Sequence, residues 1–195
     1  MINRYTKMYE MVRTKQQQTA FETTWEYFCR KHKWRNDPYA SNGIRYNLIL
    51  PRRHLFAAKK VIGTVEFIPY DPKNPQSTVE SRNKLGFYKL EEVRQHQDRI
   101  WEIDKLCIHE AYQRQGYFDI FMLIFAEHAM RHKPKFLLAF MERKLYRMLR
   151  MVYRLDLKQH GNAQTGPTTT LVPVMLDVEK WMNDEETLKT ILQGT

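Results

Sequence analysis

A short polar turn between a predicted strand and a predicted helix carries the most specific chemical signal in this sequence. Residues 113–118 read Gln-Arg-Gln-Gly-Tyr-Phe; residues 99–108 before them have the composition of a strand, and residues 117–130 are apolar on most faces. A glycine at the first turn of a helix lets the backbone approach a ligand, and the free N–H groups there favour a phosphate anion. The alternative is an ordinary strand-to-helix turn whose glycine allows close packing.

This turn resembles motif A of the GCN5-related N-acetyltransferases (GNAT), Q/R-x-x-G-x-G/A, which wraps the pyrophosphate of coenzyme A. Gln113, Arg114, Gln115, Gly116 and Tyr117 fit the motif, whereas Phe118 stands where glycine or alanine is usual. The resemblance implies an α/β fold with a mixed antiparallel and parallel sheet flanked by helices. Two parallel central strands of that sheet would splay apart to hold coenzyme A.

The resemblance also implies roles on the strand that precedes motif A. Members of the histone-acetyltransferase type carry a general-base glutamate there, and Glu102 lies eleven residues before Gln113. A carboxylate with a raised pKa can remove a proton from the acceptor amine, directly or through water. Glu102 could equally be a strand-edge acid paired with Lys105 or a neighbouring arginine, and Asp104 is a less favoured base. Backbone N–H groups further along the strand would bind the thioester carbonyl and the pantetheine amides; they belong to Leu106, Cys107 and Ile108.

Two tyrosines are candidates for the group that protonates the leaving thiolate. GNAT enzymes often place this tyrosine on the helix after the second splayed strand, and residues 142–155 predict that helix here. Tyr146 and Tyr153 are seven residues apart and share a side of it, with Tyr153 nearer the usual position. Either could instead be a packing aromatic with its hydroxyl in water.

A closer resemblance is to the acyl-homoserine-lactone (autoinducer) synthases, a branch of the same fold. The matching residues are Arg30, Trp34, Asp37 and Tyr39, then 63–66 (Gly-Thr-Val-Glu), then 102–105 (Glu-Ile-Asp-Lys). Glu66 stands where this branch has arginine, and Lys105 replaces an arginine, which keeps the charge and loses the bidentate fork. The resemblance implies that the acceptor is bound by Trp34, Asp37 and Glu66. The departures leave open whether that acceptor is S-adenosylmethionine.

These resemblances imply an N-acyltransferase that moves an acetyl or longer acyl group to a small-molecule amine. The donor would be acetyl-CoA, another acyl-CoA or an acyl-carrier protein thioester, with no metal. An acyl-homoserine-lactone synthase-like enzyme is one alternative; a fold relative that binds a ligand without catalysis is another. His128 and His132 are four apart on a predicted helix and could bind a metal, but the sequence places no third ligand.

Length and composition predict a single folded domain over residues 1–195. The 43% hydrophobic and 13% aromatic residues exclude a disordered chain. The sequence has neither an apolar run long enough to span a bilayer nor a signal segment, which predicts a cytoplasmic protein. Cys29 and Cys107 stand far apart, so they indicate neither a disulfide framework nor a zinc site and are expected to be reduced and buried.

The net charge of +10 attracts anions of any kind, which makes a basic nucleic-acid-binding module the alternative from another class. Basic residues concentrate in residues 30–35 and along residues 143–154. The second segment also has an apolar face and follows a core strand, which predicts only one solvated side. The first is typical of a solvated helix end. Nucleic acid is therefore the less favoured partner.

Hydrophobic periodicity predicts the remaining elements. Residues 9–33 predict one or two helices, and residues 71–98 predict a mobile or functional connection on the acceptor side with a short helix at 89–97. Residues 136–141 predict a strand buried on both faces and parallel to strand 99–108. Residues 157–170 are polar, with turn signals at Gly161 and at Gly166-Pro167. The other predicted elements are strands at 44–50, 54–59, 61–69 and 168–178, the last as one strand or a pair, and a closing helix at 179–192.

Overall fold

The structure is a computed structural model that describes residues 8–50, 59–166, 168–186 and 188. Its centre is an eight-stranded sheet with strand order β1-β2-β3-β4-β5-β8-β6, and β7 pairs with β8. The strands are β1 Tyr9–Met11, β2 Ile44–Ile49, β3 Val61–Pro69, β4 Ile100–Ile108, β5 Phe136–Glu142, β6 Leu157–Gln159, β7 Gln164–Thr165 and β8 Thr170–Asp177. The helices are α1 Lys15–His32, α2 Glu91–Gln95, α3 Phe118–His132, α4 Arg143–Met151 and α5 Val178–Met182. All strand pairs are antiparallel except β4 with β5.

The parallel pair follows from the long helix between its strands, because a crossover is needed to return the chain to the same end of the sheet. α3 is apolar over most of its circumference and buries eight residues, including Phe121, Ile124 and Phe125. These residues form the main core with one face of the sheet, together with residues of α4 and α5. We call this the α3 face.

The opposite face of the sheet is covered by α1 and by the connection between β3 and β4, and we call it the α1 face. α1 begins with a capping box between Thr14 and Gln17 and buries Phe21, Trp25 and Phe28. The connection contains a π-helical turn at Thr78–Arg82 followed by short helical turns that include α2. Its buried apolar residues pack on Ile100, Phe136 and Leu138 of the central strands; they are Tyr70, Val79, Phe87 and Val93.

Most of the predicted elements are confirmed: β2, β3, β4, β5, α3, the parallel pair and a single strand at the position of β8. Two short strands within the polar stretch 157–170 were not predicted, since β6 and β7 pair there with β8. The predicted all-helical segment at 9–33 is wrong at its start, because β1 pairs with β2. The predicted helix at 89–97 shortens to α2. The strand predicted at 54–59 falls almost wholly outside the described residues. The closing helix predicted at 179–192 is interrupted after α5, which ends at Met182, and residues 187 and 189–192 lie outside the described part.

The predicted helix at 142–155 ends earlier, at Met151, so that Tyr153 lies beyond α4. Arg154 adopts a left-handed conformation with φ 53°, and the N–H of Leu155 donates back to the carbonyl of Leu149 at 3.1 Å. This turn stops the helix, since a left-handed residue cannot continue it.

None of the helices in the described part of the chain is long and apolar enough to cross a membrane.

Candidate active site

The two parallel strands at the centre of the sheet separate part of the way along their length. β4 pairs with β5 from Ile100 to Ile103 and from Phe136 to Ala139. Beyond these residues the two strands no longer pair with each other, and residues 104–108 and 140–142 pair only with β3 and β8 on their other sides. Glu102 lies opposite Leu138, one register position before pairing ends. The predicted splay of the two central strands is therefore present.

A bulge in β4 accompanies this separation. Between Thr64 and Glu66 of β3 the register of the β3–β4 pair shifts, and Lys105 of β4 adopts a left-handed conformation with φ 50°. The Thr64 hydroxyl donates to the carbonyl of Lys105 at 2.7 Å and holds the bulge. A bulge twists and bends its strand. It therefore turns β4 away from β5 and places Asp104 and Lys105 together on the α1 face.

The turn before α3 is braced by its own side chains. Gln113 donates from Nε2 to the carbonyl of Ile108 at 2.9 Å, and Gln115 donates to the carbonyl of Ala111 at 2.7 Å. Arg114 and Gly116 both adopt positive φ, 61° and 78°. No described protein group accepts from the backbone N–H groups of residues 114–117, and no side chain caps the helix at Tyr117. The turn thus presents free N–H groups at the positive end of the α3 dipole.

Phe118 begins α3 and contributes packing. Its ring lies 5.7 Å from Phe121 and 5.6 Å from Tyr153, measured between ring centroids. The side chain that departs from motif A is therefore directed into the aromatic core around the start of the helix. Tyr117 contacts Tyr112 edge to face at 6.0 Å.

Glu102 is fully buried under the π-helical turn. Its Oε2 accepts from the N–H groups of Thr78 at 3.0 Å and Val79 at 3.3 Å, whereas Oε1 has no hydrogen-bond partner among the described residues. Burial raises the pKa of this carboxyl to about 7, against the opposing effect of the nearby Ser77 side chain and of the N–H groups of the turn. A carboxyl that titrates near neutral pH can accept a proton at the pH of the cell.

The turn over Glu102 is itself held by a second buried acid. Glu80 accepts from the Tyr70 hydroxyl at 2.8 Å and from two backbone N–H groups, those of Gly86 and Tyr88, both at 3.1 Å. Ser77 caps the turn by accepting from the N–H of Glu80 at 3.0 Å. These bonds fix the two N–H groups that bind Glu102, and the sequence signal for them was only the long polar connection.

Four charged residues form an ionic cluster beside Glu102 on the α1 face. Glu66 binds Arg45 at 2.7 Å and Lys105 at 2.8 Å, and Lys105 also binds Asp104 at 2.7 Å. Burial alone would lower the pKa of Lys105, but the carboxylates of Asp104 and Glu66 raise it, so the lysine is charged. Lys105 thus pairs with Glu66 and Asp104. The alternative interpretation of Glu102 required Lys105 to pair with Glu102, and the structure does not show that pair.

Of the residues predicted to bind the acceptor, Glu66 belongs to this cluster, and the segment that follows Asp37 contacts it. The carbonyl of Pro38, next to Asp37, accepts from Lys105 Nζ at 3.4 Å, and the ring centre of Tyr39 lies 5.3 Å from the same atom. Trp34 packs in the aromatic layer of α1, 5.4 Å from Phe28 between ring centroids. Arg45 was not among the predicted site residues; its signal was a charged residue near the start of a half-buried strand.

The two candidate tyrosines lie on the α3 face in different settings. Tyr146 in α4 is half-buried, and its hydroxyl accepts from Arg150 Nη1 at 3.0 Å. Tyr153 is buried and donates its hydroxyl proton to Asp119 Oδ1 at 2.5 Å. Burial and that bond raise the pKa of Tyr153 well above its usual value.

The histidine pair predicted as a possible metal site is part of an aromatic stack. His128 is fully buried, stacks on Phe67 at 3.9 Å and lies 4.5 Å from His132, measured between ring centroids. Burial lowers the pKa of His128 to about 3. Within the described residues, no three side chains among histidine, cysteine, aspartate and glutamate are grouped so that they could hold a metal ion.

Solved structures of several acyl-transferring enzymes share this architecture. The acyl-homoserine-lactone synthase LasI matches with a TM-score of 0.66 at 11% identity, over 96% of this chain and 95% of that one. The CoA-dependent acyl-homoserine-lactone synthase BjaI, solved with SAM and isopentyl-CoA, matches at 0.62 and 13% identity over 89% and 78%. A putative N-acetyltransferase from Lactobacillus plantarum matches at 0.59 and 10% identity over 87% and 97%.

The chain therefore has a GNAT-like fold, in the form that also occurs in acyl-homoserine-lactone synthases. At these identities the likeness establishes the fold, and function has to be argued from the site. Comparison by sequence finds no protein-family model and no curated protein that matches.

Proposed function

We propose that this protein is an N-acyltransferase that transfers an acyl group from a thioester donor to a small-molecule amine. The observation that carries the proposal is the position of Glu102, a buried carboxyl with a pKa of about 7 located where β4 and β5 separate. The free N–H groups of residues 114–117 lie at the far end of the same strand, beyond the gap. An anion held there and a thioester in the gap would place the acyl carbon beside Glu102.

The reaction needs one base and one acid. The amine nitrogen attacks the thioester carbonyl carbon, a C–N bond forms, the C–S bond breaks, and Glu102 accepts the proton that leaves the nitrogen. The unpaired edge of β4 offers backbone N–H groups to the carbonyl oxygen as it gains charge, from among residues 106–108. The thiolate then takes a proton from a tyrosine, which regains it from solvent.

Tyr146 suits the acid role better than Tyr153. The Tyr146 hydroxyl accepts a hydrogen bond from Arg150 and keeps its own proton available, whereas the Tyr153 proton is committed to Asp119. We expect Tyr146→Phe to lower kcat by about 100-fold with little change in stability. Tyr153→Phe should lower the free energy of unfolding by about 2 kcal/mol and leave kcat within about threefold. The reverse pattern would assign the role to Tyr153.

The donor would be acetyl-CoA, a longer acyl-CoA or an acyl-carrier protein thioester. Gln113, Arg114, Gln115, Gly116 and Tyr117 form the proposed anion-binding turn, with Phe118 supporting it from the core. Trp34, Asp37 and Glu66 would border the acceptor. Cys29 and Cys107 are buried free thiols, which suits a reducing compartment such as the cytoplasm.

Thermal unfolding in the presence of coenzyme A tests donor binding. A ligand that binds only the folded protein must raise its stability, so millimolar coenzyme A should raise Tm. Release of free thiol from acyl-CoA in the presence of amines tests transfer. Glu102→Gln should lower kcat by about 100-fold, whereas Glu91→Gln, at a side chain 65% exposed on α2, should not.

Two results would contradict the proposal. Absence of both a Tm rise and amine-dependent thiol release, with acyl-CoA and with acyl-carrier donors, would remove the enzymatic interpretation. Binding to duplex DNA that weakens steeply with salt and is unaffected by coenzyme A would favour the nucleic-acid alternative, for which the exposed arginines of α4 are the motivating feature.

A further inference from the structure

A cluster of charged side chains lies beside Glu102 on the α1 face. Five charged or ionisable residues lie together on the α1 face of β2, β3 and β4: Arg45, Glu66, Glu102, Asp104 and Lys105. From their pairing we infer that the acceptor is a primary amine without a carboxylate next to it, and not an α-amino acid or S-adenosylmethionine. This inference rests on the proposed function and narrows its substrate class.

These three strands place two cations on this face, and both are already bound to carboxylates. Arg45 binds Glu66 at 2.7 Å and donates a second hydrogen bond to the carbonyl of Ala40. Lys105 binds Glu66 at 2.8 Å and Asp104 at 2.7 Å. A carboxylate needs a cation or several N–H donors when it leaves water. To obtain one here, an amino acid would have to displace Glu66 or Asp104 from its pair.

Glu66 is also held in place by the shape of its surroundings. Its side chain is fully buried, and a Cβ atom on Gly43 would overlap its Oε1. The glycine just before β2 therefore leaves the space that this carboxylate fills. Displacing a fully buried acid from two cations would leave it uncompensated, which is costly. The pairing of Arg45 and Lys105 with Glu66 is therefore a fixed feature of the site.

A second, independent observation indicates the ligand group that fits. Glu102 Oε1 is buried and lacks a hydrogen-bond partner among the described residues, while Oε2 is held by the π-helical turn. An amine or ammonium group can donate to Oε1, whereas a carboxylate has only acceptors and would be repelled. This face carries three carboxyl groups, those of Glu66, Asp104 and Glu102, and two cations that are already paired. It therefore favours a positively charged acceptor that donates hydrogen bonds.

The proton balance follows from this charge state. An ammonium acceptor first loses one proton to solvent by way of Glu102, and the neutral amine then attacks the thioester carbonyl carbon. The C–N bond forms as the C–S bond breaks; the second proton leaves the nitrogen for Glu102, and the thiolate is protonated. One amide, one thiol and one released proton result, with no further co-reactant.

Pairs of acceptors that differ only by a carboxylate test the inference on the wild-type protein. Tyramine is compared with tyrosine, agmatine with arginine, and decarboxylated S-adenosylmethionine with S-adenosylmethionine, each with the same acyl-CoA. We expect kcat/KM to be at least about tenfold higher for the amine in the pairs that react, because a partly buried carboxylate beside like charges is disfavoured. In thermal unfolding, the amine should raise Tm more than its carboxylated twin.

The outcomes separate this inference from the proposed function. Equal or faster acylation of the carboxylated twins would overturn the inference and leave the acyltransferase proposal standing. If no compound reacts with any thioester, the proposed function fails and the Tm comparison decides the inference alone. A Tm rise that is equal for both twins, larger for the carboxylated one, or absent for every compound would overturn it.

A variant links the selectivity to Glu66. Glu66→Gln removes the negative charge that occupies Arg45 and Lys105, so the preference for the amine should fall at least about tenfold. Asp104→Asn, at a side chain 13% exposed, should change it in the same direction by less. Glu91→Gln is the matched control and should leave the preference unchanged. Folded Glu66→Gln protein with unaltered selectivity would contradict the assignment, and if it does not fold, Asp104→Asn provides the same comparison.

Discussion

Replacing Glu102 with glutamine should change the way stability depends on pH. The pKa of this buried carboxyl is raised from 4.5 to about 7, so between those values the folded protein holds a proton that the unfolded chain releases. The folded state binds more protons in this window, and stability therefore falls as pH rises through it. A difference of one in pKa is worth about 1.4 kcal/mol, so the full effect is about 3 kcal/mol.

Urea unfolding of the wild type and of Glu102→Gln at intervals from pH 4 to pH 8 isolates this effect. Other groups titrate equally in both proteins, and their contribution cancels in the difference between the two free energies of unfolding. We expect the variant to gain about 3 kcal/mol relative to the wild type between pH 4 and pH 8. Glu91→Gln, on the exposed side of α2, should follow the wild-type profile.

Parallel stability profiles for the wild type and Glu102→Gln would refute the reasoning. They would mean that Glu102 titrates in the folded protein as it does in the unfolded chain. The kinetic counterpart should agree: kcat/KM of the wild type should rise with pH around pH 7 as the carboxylate forms. A profile that is flat through pH 7 would remove Glu102 from the role of base.

Three further predictions concern the support of the site. Burial lowers the pKa of His128 to about 3, so protonation should reduce the free energy of unfolding by up to about 5 kcal/mol as pH falls from 6.5 towards 3. In urea unfolding, His128→Phe should reduce this loss of stability at acid pH, and an unchanged loss in the variant would contradict the prediction. Gly63→Ala would place a Cβ 2.5 Å from the carbonyl oxygen of Cys107 and should lower the free energy of unfolding by about 3 kcal/mol, whereas a wild-type Tm would show that the strands can move apart. Gly116→Ala meets no atom closer than 3.8 Å, so it should cost only about 1 kcal/mol from its positive φ; a larger loss would indicate a hidden contact.

The central crossover and the glycine-containing turn before α3 could be predicted because their signals are local. An apolar strand, a glycine-containing turn, a long apolar helix and a second apolar strand follow one another between residues 99 and 141, and each is specified by its own residues. The same local rules failed for β1, β6 and β7. These strands are only two or three residues long, and they exist because β2 and β8 offer edges for pairing.

The boundary of α4 shows the same limit. Apolar periodicity continued to Leu155, but the helix ends at Met151 because Arg154 turns left-handed and Leu155 returns to the core. Tyr153 therefore leaves the helix and binds Asp119 at the start of α3. The sequence offered two equivalent tyrosines, and only packing between distant segments made them different.

By itself, the sequence determined the type of fold and the position of the proposed site, since both depend on residues that are neighbours along the chain. The charge state of the site was decided by tertiary structure alone. Glu102 and Lys105 are three residues apart in the sequence, and their opposite charges suggest an ion pair. A bulge instead places Lys105 beside Glu66, and a turn 23 residues away in the chain covers Glu102. Electrostatic interactions depend on distance and burial, and neither quantity is carried by the order of residues.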